Sequence, residues 1–75
     1  MKSQKRIRFE KIASNRVQRI LDTLNSLSNC SNKNNYEYNK EDTDIMFKSL
    51  KDKLRETELI FQSKINKTES NKFKF

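Results

Sequence analysis

Lys5, Arg8, Lys11, Arg16 and Arg19 are the residues of this chain whose types and spacing point most directly to chemistry. Wound at 3.6 residues per turn they share one broad face, spanning roughly 20–160° of a helical wheel. Three are arginines, whose planar forks suit phosphate oxygens and base edges better than the point charge of lysine. Ser14, Asn15 and Gln18 stand nearby as neutral donors. Such a row presents phosphate-contacting groups to nucleic acid or a nucleoprotein. The competing reading is a solvated face that keeps a small protein in solution.

Other chemistries find little support. The chain has no histidine and one cysteine, so it offers no zinc constellation and no internal disulfide. Cys30 lies among neutral residues with Lys33 as its nearest cation, a poor setting for an activated thiolate. With no paired-carboxylate pocket either, a non-enzymatic protein is expected, without metal, cofactor or small-molecule substrate.

The elements that must position the row follow from composition. Glycine and proline are both absent, which argues against β-turn-rich folds, P-loops and dinucleotide folds, and favours an all-α chain. From Lys5 to Leu27 the apolar residues Phe9, Ala13, Val17, Ile20, Leu24 and Leu27 fall within about 80° of arc, a near-heptad seam. The basic row lies well away from that seam. Residues 28–39 break the pattern with five asparagines and two serines, and are expected to form a loop. Asn29 or Asn32 would take the left-handed position past the helix end that glycine usually fills. Tyr36 and Tyr38 in this loop either close over the hairpin core or form a recognition surface.

A second helix is expected over residues 40–64. Asn39 is its N-cap, Glu41 and Asp42 lie in its first turn, and Asp42 is a capping-box partner. Its stripe is Phe47, Leu50, Leu54, Phe61 and Ile65, with Thr43 and Thr57 in the gaps. Residues 66–75 lose the periodicity and are expected to be a flexible basic tail.

Residues 1–65 thus read as an antiparallel two-helix hairpin. Residues 1–20, 21–62 and 63–75 carry +6, −2 and +3 of the net +7. A hairpin gathers both basic ends at one pole, a field that steers toward phosphate-rich or acidic partners. Only 32% of the residues are hydrophobic, so a lone copy can bury little apolar surface. Ile12, Leu21, Ile45, Leu59 and Ile60 fall off the two stripes, which calls for a second interface. With Tyr36 and Tyr38 they are the candidate surface for a partner or for self-association. A dimeric four-helix bundle would cover the apolar ones. No apolar run is long enough to span a bilayer, and no hydrophobic signal region follows the basic N-terminus, so a cytoplasmic protein is expected.

The segments Leu27-Ser28-Asn29-Cys30-Ser31-Asn32, Asn35-Tyr36-Glu37-Tyr38 and Glu41-Asp42, with Phe47, carry a resemblance to other proteins. Together with Arg8-Phe9, Ile12-Ala13 and Phe61, the pattern resembles that of short uncharacterised proteins of low-GC Gram-positive bacteria and their mobile elements. It covers about residues 6–62 and brings no activity with it, but it implies a phage, plasmid or accessory-gene origin. A second functional class therefore stands beside nucleic-acid binding. This is an inhibitor or adaptor of the anti-defence type, such as an anti-CRISPR protein, docking a host protein through the off-stripe apolar residues and the tyrosine loop. The surface that matters separates the two: the arginine row for nucleic acid, Ile45 and Leu59 for a protein.

Overall fold

The structure is a computed structural model that describes residues 2–70, with side chains described through Lys67. The chain is all-helical. Two helices, α1 (Gln4–Ser28) and α2 (Lys40–Ser70), flank a short 3-10 turn, Asn29–Ser31. The chain divides into two units between Glu37 and Tyr38, one built on α1 and the 3-10 turn, the other on α2.

In the first unit, α1 is about 37 Å long. Ser3 caps it, its Oγ accepting a hydrogen bond from the Arg6 N–H at 3.1 Å. The helix leaves through right-handed backbone. Asn29 has φ −68° and ψ −19°, and its N–H bonds back to the Ser26 carbonyl. Asn32 is extended, with φ −70° and ψ 106°. The left-handed cap expected at Asn29 or Asn32 is therefore not used. The 3-10 turn tightens the helix end instead, and i→i+3 bonds satisfy terminal carbonyls without a residue at positive φ. Asn32 then organises the connecting turn. Its carbonyl accepts from the N–H groups of Asn35 at 3.1 Å and Tyr36 at 3.0 Å, and its side chain accepts from Asn34 N–H at 2.9 Å. This is the Asx geometry that makes asparagine a turn residue.

In the second unit, α2 opens with a reciprocal cap. Asp42 N–H donates to Asn39 Oδ1 at 2.9 Å, and Asn39 N–H donates to Asp42 Oδ2 at 3.0 Å. Aspartate thus fills the role that a longer glutamate usually takes in a capping box. Glu41 and Asp42 in the first turn and Lys67 in the last complement the helix dipole.

The helix continues to Ser70, so residues 66–70 are not the tail their lost periodicity suggests. Asn66-Lys67-Thr68-Glu69-Ser70 contains no glycine or proline, and a helix already nucleated propagates through such residues at little cost. The rest of that segment, residues 71–75, lies outside the described residues.

Among the described residues no side chain is buried. Ala13 and Leu27 of the α1 seam are half-buried, whereas Leu54 of the α2 stripe is 70% exposed.

Candidate nucleic-acid interface

The five cations of the α1 row differ from their neighbours in having no partner. Among the described residues, none of the side chains of Lys5, Arg8, Lys11, Arg16 and Arg19 makes an ion pair or a hydrogen bond. Lys2, before the helix, and Arg6, on the seam side of α1, both bind Glu10, Lys2 Nζ to Oε1 and Arg6 Nε to Oε2, each at 2.9 Å. The Arg6 guanidinium also lies over the Phe9 ring, 5.6 Å from its centroid. On α2, Lys40 pairs with Asp44, Lys48 with Asp52 and Lys53 with Glu56. The single acid in the N-terminal half of α1 is thus occupied by cations outside the row.

Sequence spacing carries the signal for this clamp, which the reading of the basic face passes over. Arg6 and Glu10 are four apart, Arg6 and Phe9 three apart, the two separations at which helical side chains meet. Glu10 is held below the usual carboxylate range. The hydrogen bond from Lys2 is the largest cause, opposed by partial desolvation and reinforced by the bond and charge of Arg6. On α2 the Asp52 carboxylate raises Lys48 in the same manner, first by its hydrogen bond and then by its charge.

The neutral donors sort themselves differently. Gln18 Nε2 donates to Asp22 Oδ1 at 2.9 Å, and Ser14 Oγ donates to the Glu10 carbonyl, so both are engaged within the helix. Asn15, on the row side, has no side-chain hydrogen bond among the described residues.

α1 also sets its charge against its own dipole. Its first turn has no acid and its last turn no base, while the cations crowd its N-terminal half. Positive charge in the first turn of a helix, here Lys5 and Arg6, is unfavourable by about 0.3–1 kcal/mol per group at an exposed site, and the effect fades beyond that turn. α2 has the opposite, dipole-matched arrangement. A bound polyanion along the α1 row would relieve that opposition.

The candidate partner residues divide between the two units. Ile12 lies within the arc of the basic row, and Leu21 flanks the seam. Tyr36 is exposed and Tyr38 half-buried. Leu59 and Ile60 come together in a shallow depression on α2 with Asp52, Arg55, Glu56 and Ser63. Ile45, at 67% exposure, stands two heptads before Leu59, about 21 Å along the axis.

Among the described residues no group of acids or cysteine is placed to hold a metal ion, and no helix is long and apolar enough to cross a membrane.

Neither a family model, a curated protein nor a solved structure matches the chain.

Proposed function

We propose that this is a non-enzymatic binding protein that contacts nucleic acid or a nucleoprotein through the α1 row. The observation that carries the reading is the set of five unpartnered cations on one face of α1. Elsewhere in the described chain, Lys2, Arg6, Lys40, Lys48 and Lys53 are neutralised by acids, and the unpaired Lys51 and Arg55 of α2 stand on a helix that also carries Asp44, Asp52, Glu56 and Glu58. Exposed ion pairs contribute little to stability, so leaving five cations unpaired costs the fold almost nothing and leaves their charge for a partner. The placement of Lys5 in a first turn without an acid supports the same reading, because positions that break a local rule are where function is expected.

The assembly that fits this role is a hairpin of α1 on α2, doubled into a four-helix bundle. Both apolar stripes are exposed along their helices, and covering them takes more apolar surface than one short chain supplies.

Fluorescence anisotropy against labelled nucleic acids at 50 and 200 mM salt tests the proposal. Three to five phosphate contacts predict a log–log salt slope between about −2.7 and −4.5 on duplex DNA. The double variant Lys11→Gln, Arg16→Gln is expected to flatten that slope by about 1.8 units and weaken binding at low salt. Absence of binding to any nucleic acid at 50 mM overturns the proposal.

A second reading rests on the exposed apolar residues of α2. Ile45, Leu59 and Ile60 would seat a protein target, as in an anti-defence inhibitor of a mobile element. It gains ground if Ile45→Ser and Leu59→Ser abolish a cellular phenotype that the arginine variants leave intact.

A further inference from the structure

We propose that α1 docks lengthwise in the major groove of B-form DNA, with Arg8, Asn15 and Arg19 facing the base edges and Lys11 and Arg16 facing the two phosphate walls. The inference rests on the nucleic-acid reading above and narrows it to one ligand class.

The five cations are not a line but an arc of about 140°. Lys11 marks one border of the arc, and Lys5 and Arg16 mark the other. Asn15, Arg8 and Arg19 fall between them, within about 40° of one another. A helix with its side chains is about 10–12 Å across, and the major groove is about 12 Å wide and 8.5 Å deep. A helix lying in that groove presents both flanks to phosphates and one ridge to the floor. The arc has that division: cations at both borders and hydrogen-bonding forks and an amide along the ridge.

The ridge residues suit the floor. An arginine fork bonds guanine O6 and N7, and an asparagine amide bonds adenine N6 and N7. Arg8 and Arg19 stand eleven residues apart, about 16.5 Å along the axis, the rise of about five base pairs. Asn15 lies between them with its amide uncommitted, whereas Gln18 is already held by Asp22. Ile12 is otherwise an anomaly, an exposed apolar residue inside a basic arc. On a groove floor it meets the thymine C5 methyl, the apolar feature of that surface.

Competing nucleic acids fit less well. Single strands are gripped by aromatic side chains on which bases stack. Phe9 is the one aromatic residue of α1, lies outside the arc, and is covered on one face by Arg6. The major groove of A-form RNA is too deep and narrow for side chains to read.

The test uses the full chain and changes the DNA first, so that folding of a variant is not at issue. A duplex pool randomised over ten central base pairs is selected for binding at about 100 mM salt, and the enriched duplex is remade with 7-deazapurines. Enrichment of a motif about five base pairs wide is expected. Loss of N7 acceptors is expected to weaken binding at least about fivefold, the low end of one bidentate pair. The same sequence as an RNA duplex or as a single DNA strand is expected to bind at least about tenfold more weakly, since neither offers the readable groove. In the protein, Arg8→Lys with Arg19→Lys keeps the charge but removes the forks, and is expected to erase the motif while preserving the salt slope. Equal affinity for the three nucleic acids, no enriched motif, or indifference to 7-deazapurines overturns groove docking but leaves phosphate binding standing. Failure of every nucleic acid to bind at 50 mM salt removes both proposals together.

Discussion

At the scale of single residues, Glu10 decides how much of the N-terminal charge is free. Its carboxylate holds Lys2 and Arg6 and has its pKa lowered by them. A depressed carboxylate contributes stability above its unfolded pKa of about 4.3, and that contribution is lost as pH falls through the lower folded value. The first two turns of α1 are therefore expected to stay helical through the ordinary carboxylate range and to loosen only below it, as followed by amide NMR. Glu10→Gln is expected to remove that acid transition. The same variant releases Arg6 on the face of α1 turned away from the row, so polyanion binding through the row should keep its affinity and its salt slope. A variant that weakens polyanion binding in proportion to lost helicity would show that the clamp acts only through the fold.

At the scale of elements, the two helices owe their starts to different devices. The Asn39–Asp42 box supplies two mutual bonds to α2, whereas Ser3 supplies one to α1. Asn39→Ala is expected to cost about 1 kcal/mol. Hydrogen exchange at Lys40–Asp44 should accelerate accordingly, while exchange in α1 stays unchanged. Unaltered exchange there would mean that the box is ornamental. Much at this scale is legible in the sequence. The seam from Phe9 to Leu27 marks α1, and an asparagine followed three residues later by an acid marks the start of α2. The asparagine-rich stretch marks the turn, although not its handedness, because a 3-10 exit and a left-handed cap both suit such residues. The end of α2 is illegible for a related reason. Periodicity reports where a helix is amphipathic, not where it stops, and Asn66–Ser70 has nothing to break it. The basic row is visible in the residue types, and the spacing of Arg6 and Glu10 signals one half of the clamp. The other half, from Lys2 eight residues before Glu10, follows no helical spacing and is not legible.

At the scale of the whole molecule, exposed stripes and a charge of +7 set opposing demands. Apolar surface favours association, and like charge on the basic segments opposes it. If two copies complete the core, folding is tied to assembly, and the melting temperature should climb with protein concentration, by several degrees over a hundredfold range. A concentration-independent melt would assign the stability to one copy alone. Charge repulsion also favours an arrangement in which the basic segments of the copies lie far apart. The same charge makes the melt sensitive to salt, which screens repulsion within a Debye length of about 10 Å at 0.1 M.

Cys30 gives this last question a direct readout. It is the single thiol of the chain, it is exposed, and it lies in the 3-10 turn that ends α1. A nitroxide attached there marks one point per copy without any engineering of the sequence. Dipolar spectroscopy between two such labels then works as a molecular ruler. Copies running head to tail would hold the spins apart by about the length of α1, roughly 37 Å, and copies running side by side would bring them well within half of that.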